Sequence, residues 1–401
     1  MALKVLMMGG RRCGKTSVLA SMFDQMKNGR VNSFLTISDQ TVLETKFNEE
    51  TQQMETQDSL EGKILELQQM LGTSADDTDD KIFLVDSGPT SNFWYYNLNL
   101  KIPGTKKEMS IEFRDSAGEF FEAGGKHSAE VNEYIEECDV FVVVVDTPYL
   151  MKGLTENDSR LCSDAINSGT NRVGDIKNFL CKINDNEGKD AKMVLFVPVK
   201  CEKWASENRM DEVVKRVESV YAKVIEDLKA YSKMTIGIFP IQTAGNIWFE
   251  EFRDAYIVTG KIGGTKRCCL LSDTTVRLEN GTPKKIGEND TLNEDSKAKI
   301  AGTNLMRPYS WYKVNPKNKS YTPINCEQLP LHIVRFMLEK EKNVIKTDEE
   351  NSGFFAKLWR KIKAVFGNMP VKDLVNVIEK LEKEGVYKHT GQDIKYIKEC
   401  Y

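Results

Sequence analysis

The sequence predicts an α/β fold, and three observations carry that reading. A short apolar run, Leu3 to Met8, leads into a glycine-rich loop and then into a helical pattern of apolar residues. A later run, Val140 to Asp146 (VFVVVVD), is unbroken and β-branched, as in strands covered on both faces. The chain has 401 residues, 40% apolar and 29% charged, enough for one large domain or two modest ones.

The first element is the most specific. Gly9-Gly10-Arg11-Arg12-Cys13-Gly14-Lys15-Thr16 matches G-x-x-x-x-G-K-T, and Val18, Leu19, Met22, Phe23 and Met26 follow at helical spacing. Glycine belongs where backbone N–H groups wrap phosphate oxygens, and Lys15 reaches the β- and γ-phosphates. The Thr16 hydroxyl is the Mg²⁺ ligand of such a loop, and Cys13, Gly14 and Ser17 complete the phosphate cradle.

Phe93 to Lys101 and Glu108 to Asp115 read as two strands joined by a turn at Pro103-Gly104, a hairpin rather than a crossover. The second ends in Asp115-Ser116-Ala117-Gly118-Glu119. An acid there can hold Mg²⁺ through water, and the glycine three residues on lets its N–H approach the γ-phosphate. Val140 to Asp146 is the next strand, also ending in an acid. Met193 to Val199 then runs into Val199-Lys200-Cys201-Glu202, and Thr235 to Ile241 into Gln242-Thr243-Ala244-Gly245.

Through GGRRCGKT, the strand pair and DSAGE, about half of the chain resembles the Ras-like and translation-factor-related P-loop GTPases. The resemblance implies a G domain: a three-layer αβα fold around a mostly parallel six-stranded sheet, binding GTP or GDP with Mg²⁺. By position it implies Thr90 as the threonine that closes over Mg²⁺ beside Thr16 and Asp115, although Ser87-Gly88-Pro89-Thr90 also has the composition of a plain turn. Asp146 is a rival to Asp115, as in ATPases with an extra strand between loop and acid; the glycine sequel favours Asp115. The family reads guanine with Asn/Thr-Lys-x-Asp. Here Lys200 matches, Glu202 replaces the aspartate and Val199 the amide. Thr243 and Ala244 match the Ser-Ala-Lys loop whose N–H contacts the guanine oxygen, with Gly245 in place of lysine. Glu119 stands where Ras-like chains have a water-orienting glutamine, which implies slow turnover. Arg11 or Arg12 could supply catalytic charge in cis, or face solvent or a partner.

The G domain is expected over 1–345, with insertions at 29–89 and 246–327. The first carries Leu60, Ile64, Leu67 and Leu71 as a helical stripe, then a solvated acidic loop, Asp76 to Asp80. The second is turn-rich with short apolar runs, a small β-containing insertion. Leu329-Pro330-Leu331 opens a helix through Lys342 that closes the G domain. A helical extension, 346–401, follows. In it, 353–367 (GFFAKLWRKIKAVFG) has an apolar stripe and only basic charges, suited to its own domain, a partner's groove or anionic lipid. Residues 370–384 form a further amphipathic helix.

Other classes find little material. Fifty-six Lys plus Arg against sixty Asp plus Glu give a charge of −4, no global case for nucleic acid. Nine cysteines without a C-x-x-C pair disfavour a disulfide framework or zinc ribbon, and three separated histidines disfavour triads and His-rich metal sites. The N-terminus lacks the pattern of a secretory signal and no apolar run spans a bilayer, so a cytoplasmic protein, or one at a membrane surface, is expected. Together these readings predict a GTP-binding switch with slow Mg²⁺-dependent hydrolysis to GDP and phosphate. A non-hydrolysing nucleotide-bound scaffold and an ATPase using Asp146 are the alternatives.

Overall fold

The computed structural model describes residues 2–10, 12–48, 53–73, 82–84, 92–106, 108–121, 127–151, 168–185, 191–255, 257–262, 265–270, 275–277, 283–285, 307–315, 318–348, 371–390 and 394–400. Strand β1 (Leu3–Gly9) leads through the glycine loop into α1 (Lys15–Asn28). β2 (Thr36–Asp39), a hairpin of β3 (Thr45–Asn48) and β4 (Gln53–Thr56), α2 (Leu60–Thr73) and β5 (Ile82–Leu84) follow. Then come β6 (Trp94–Lys101), β7 (Glu108–Asp115), α3 (Ser128–Glu137), β8 (Val140–Asp146), α4 (Thr147–Leu150), α5 (Val173–Asp185) and β9 (Lys192–Val199). After them lie α6 (Glu202–Ser206), α7 (Met210–Val220), α8 (Ala222–Lys229), β10 (Met234–Ile238) and β11 (Ile247–Ala255). Two small hairpins, β12 (Ile257–Ile262) with β13 (Thr265–Leu270) and β14 (Thr275–Arg277) with β15 (Pro283–Lys285), precede β16 (Arg307–Val314). The described chain ends with α9 (Gln328–Asp348), α10 (Val371–Lys383) and β17 (Lys395–Lys398).

The main sheet has the order β17-β10-β9-β8-β1-β7-β6-β2. β7, β1, β8, β9 and β10 run parallel, while β6 pairs antiparallel with β7 across the expected hairpin. Strand β1 is central, with β7 on one side and β8 on the other. The chain leaves it in opposite directions there, and in open α/β sheets this divergence opens a crevice at the carboxyl ends of the strands. The expectation of six strands needs extending: β2 adds antiparallel to β6, and β17 adds antiparallel to β10, making an eight-stranded sheet. Both additions are four-residue edge strands, too short and too polar on the outer side to carry a period-2 signal.

Side chains alternate between two cores, which explains the uninterrupted apolar runs. Val140, Val142 and Val144 face one core with α1, the first turns of α2, α9 and α10. Phe141, Val143 and Val145 face the other with α3, α5, α7 and α8. The fold is therefore a three-layer αβα fold of P-loop G-domain type. The stripe on α2 is buried as expected, with Leu60 and Ile64 in the first core and Leu71 in the second. The helix thus passes from one face of the sheet to the other.

The two insertions meet. β11, β16 and β5 form one antiparallel sheet, in which Trp311 of the second insertion registers with Leu84 of the first. Residues 371–400 pack on the same body: Leu374, Ile378 and Leu381 of α10 lie in the first core, and β17 edges the main sheet. The acidic loop at 76–80 and the basic segment at 353–367 lie outside the described residues. Among the described residues, no helix is long and apolar enough to cross a membrane.

Candidate functional site

The loop after β1 owes its shape to its glycines. Gly9 and Gly14 have φ of 148° and 101°, in the region that side chains avoid. Gly10 is required for a different reason: a Cβ there would stand 1.8 Å from the Thr170 carbonyl oxygen. That carbonyl belongs to the segment preceding α5, which lies against the loop. Its neighbour Asn171 is fully buried and clamps the end of β8, accepting from Asp146 N at 2.7 Å and donating to Asp146 O at 3.2 Å.

Lys15, at the first turn of α1, is buried and donates to the carbonyls of Gly9 at 3.4 Å and Gly10 at 3.1 Å. Its neighbour Thr16 donates to Asp115 Oδ2 at 2.6 Å, joining the loop to the end of β7. Parallel register puts Met7 opposite Asp115, so the acid sits directly beside the start of the loop. Asp115 is fully buried, its Oδ1 has no hydrogen-bond partner, and burial raises its pKa against the opposing influence of Lys15 and Thr16. A hydroxyl and a carboxylate with a free oxygen are the hard donors that suit Mg²⁺.

Asp146 is engaged otherwise. Its Oδ2 pairs with Lys200 Nζ at 2.5 Å, and the same ammonium lies 3.5 Å from the Arg12 carbonyl. Burial works against the lysine's charge, but the adjacent carboxylate outweighs it and holds Lys200 above the ordinary lysine range. Lys200 takes a left-handed backbone, φ 58°, as does Arg12 at φ 62°. Of the two acids that end strands, Asp115 touches Thr16 and Asp146 anchors Lys200.

A small cleft opens at these strand ends. Arg12, Cys13, Gly14 and Ser17 line its loop side; Val199, Lys200, Glu202, Thr243 and Ala244 line the other. Three further walls come from the insertions and their border: Leu67 of α2, Ile247 of β11 and Tyr312 of β16. No motif announces them. Leu67 reads from the sequence only as one more residue in a buried stripe.

Glu202 is buried, and its Oε1 accepts from the N–H groups of Ala244 at 3.3 Å and Gly245 at 3.2 Å. Burial lifts its pKa to about 7, against those two amides, its own N–H and the charge of Lys200. The 242–245 loop is fixed from behind. Ser21 of α1 donates to Thr243 O at 2.7 Å, and Gln242 and Ile324 exchange backbone hydrogen bonds at 3.0 and 2.9 Å. Gly245 has φ 79°, and a Cβ on it would stand 1.8 Å from Thr322 O. Glycine replaces the family's lysine at a position where the backbone admits no side chain.

Gly118 and Glu119 begin the short 3-10 turn Gly118–Phe121 directly after β7. Thr90 and Arg11 lie outside the described residues. The structure thus gathers Gly9, Gly10, Arg12 to Ser17, Asp115, Lys200, Glu202, Thr243 and Ala244 at one end of the sheet.

No family model matches the chain, and no curated protein matches it. Two of the distantly similar solved structures are these. The signal recognition particle receptor SRb-GTP/SRX complex from Chaetomium thermophilum is 12% identical, with 61% of this chain and 93% of that chain covered and a TM-score of 0.29. The Methanosarcina barkeri Roco2 RocCORdC structure bound to GDP is 11% identical, with 98% and 94% covered and a TM-score of 0.22. At such scores the fold assignment stands on strand order and loop geometry.

Proposed function

We propose that this protein is a guanine-nucleotide-binding switch that hydrolyses GTP slowly to GDP and phosphate. One observation carries the reading: a glycine loop ending in Lys15 and Thr16 shares a single cleft with Lys200, Glu202, Thr243 and Ala244. Phosphates belong at the loop end, where Lys15 exchanges its present carbonyl acceptors for phosphate oxygens. The base belongs at the other end, along the Lys200 stem and against Leu67, Ile247 and Tyr312. Thr16 and Asp115, with Thr90, would hold Mg²⁺, which when bound draws charge from the phosphate oxygens. Gly118 would follow the phosphate end through its backbone N–H, and Arg12, which lines the cleft, would place positive charge beside it.

Glu119 takes the place of a water-orienting glutamine. A carboxylate accepts a proton from water yet adds negative charge near phosphate, which supports slow turnover and favours a non-hydrolysing scaffold as the second reading. The ATPase reading loses ground because Thr16 of the loop reaches Asp115, whereas Asp146 has its Oδ2 paired with Lys200.

Calorimetric titration of the full chain with GTP, GDP and ATP in Mg²⁺ tests the assignment. Guanine nucleotides should bind, and Lys15→Ala should weaken them about a hundredfold or more without loss of fold, as expected for a charge-assisted phosphate contact. Tighter binding of ATP, or no effect of Lys15→Ala, refutes it. Single-turnover phosphate release then separates switch from scaffold.

A further inference from the structure

The base end of the cleft is already hydrogen-bonded to itself. Glu202 is 3% exposed, and one of its oxygens takes both the Ala244 and the Gly245 N–H. The loop cannot aim these donors elsewhere. Its Thr243 carbonyl is held by Ser21, its Gln242 backbone by Ile324, and its Ala244 carbonyl by the Thr322 N–H at 3.1 Å. With the carbonyls and flanks fixed, the two N–H groups converge on one acceptor position. Glutamate reaches it; aspartate, shorter by one carbon–carbon bond of about 1.5 Å, falls short.

We infer that the Glu202 carboxylate occupies the place of a purine carbonyl in the nucleotide-free protein, so that the cleft is closed by its own side chain until a base takes over the two amides. The inference rests on the nucleotide reading above and adds to it a mechanism of selection. A buried N–H left without an acceptor is costly, so whatever displaces Glu202 must bring an acceptor of its own. A 6-oxopurine brings its carbonyl to the amides, and its neighbouring ring N–H gives the displaced carboxylate a new donor. The exchange conserves hydrogen bonds. A 6-aminopurine presents a donor to two donors, leaves Glu202 in place and is excluded. The departure from aspartate therefore slows entry, because an internal bond must break before the base is seated.

Two measurements on the full-length protein test this. In the nucleotide-free state, hydrogen exchange at Ala244 and Gly245 should be slow in wild type and in Glu202→Gln, which keeps an acceptor. It should be about tenfold faster in Glu202→Ala, as for amides released from a buried hydrogen bond. Lys15→Ala should leave these amides as in wild type. Second, fluorescently labelled GDP should associate with Glu202→Asp about tenfold faster than with wild type, the shorter acid leaving the amides open. Equal exchange in wild type and Glu202→Ala overturns the inference, as does association with Glu202→Asp no faster than with wild type. Failure of the nucleotide reading has a different signature: no purine nucleotide binds wild type or any variant, and the inference falls with it whatever the amides do.

Discussion

In the nucleotide-free protein, Glu202→Gln should change the pH dependence of stability in a calculable way. Burial lifts the Glu202 carboxyl from its ordinary 4.5 to about 7, because two backbone amides and a nearby lysine restore only part of the lost hydration. At 1.36 kcal/mol for each pH unit, this corresponds to about 3 kcal/mol for ionising the side chain in the fold rather than in the unfolded chain. The folded state holds the proton more tightly, so this contribution is fully present below the unfolded pKa and is lost as pH rises through about 7. Glutamine keeps a side-chain carbonyl for Ala244 and Gly245 and has no proton to lose. Subtracting wild-type from variant stability therefore cancels the other titrating groups. Urea unfolding at steps between pH 5 and pH 8 should show the variant gaining on wild type by roughly 2–3 kcal/mol across that range. A difference that stays flat with pH would refute both the burial of the charge and its placement against the amides.

Removing the Asp146 carboxylate by Asp146→Ala leaves the half-buried Lys200 ammonium without its 2.5 Å partner. Chemical denaturation should register a loss of about 3–5 kcal/mol, largely recovered in the double variant with Lys200→Met. Gly245→Ala forces a side chain into a left-handed backbone against the Thr322 carbonyl. It should cost about 2 kcal/mol or more by the same assay, and a change under 0.5 kcal/mol would contradict the loop geometry. Asn171→Ala removes both side-chain contacts to the Asp146 backbone, and a loss of about 1–3 kcal/mol is expected from the midpoint of unfolding. Tyr312→Leu keeps an apolar wall but removes the aromatic face; titration should show purine nucleotide binding weakened by about 1 kcal/mol.

What the sequence conveys about this fold depends on how far apart the interacting residues are. The Val140 to Val145 run is legible because both faces of β8 are covered, and the same physics holds anywhere in the chain. The glycine loop is legible because glycine spacing, Lys15 and Thr16 are contiguous and their backbone demands are local. Glu202 is harder. Its residue type shows a departure from the guanine-reading pattern, but its hydrogen bonds depend on a loop held by Ser21, Thr322 and Ile324 from distant parts of the chain. Gly245 reads as a lost lysine until the approach of Thr322 supplies the reason. The ion pair between Asp146 and Lys200 links two strand ends with no sequence signal for their pairing, whereas the preference for Asp115 over Asp146 rests in the sequence on the glycine sequel alone.

The same contrast divides the cleft itself. Its glycine-loop side is one contiguous stretch joined to Asp115 and buttressed by Thr170, whereas its other side takes walls from α2, β11 and β16 beside Lys200, Glu202 and the 242–245 loop. Leu67 arrives on α2 and Tyr312 on β16, and β16 is paired with β5, so the two insertions support each other beside the pocket. The Thr322 stretch that fixes the 242–245 loop is the return of the second insertion into α9. A ligand that shifts Glu202 or the loop therefore pushes on the segment around Thr322 that is hydrogen-bonded to it. In a switch, differential contact between ligand states is what moves distant surfaces. Here Thr322 and Ile324, at the return of the second insertion, hold the 242–245 loop by backbone hydrogen bonds, so a shift of that loop is passed to the insertion.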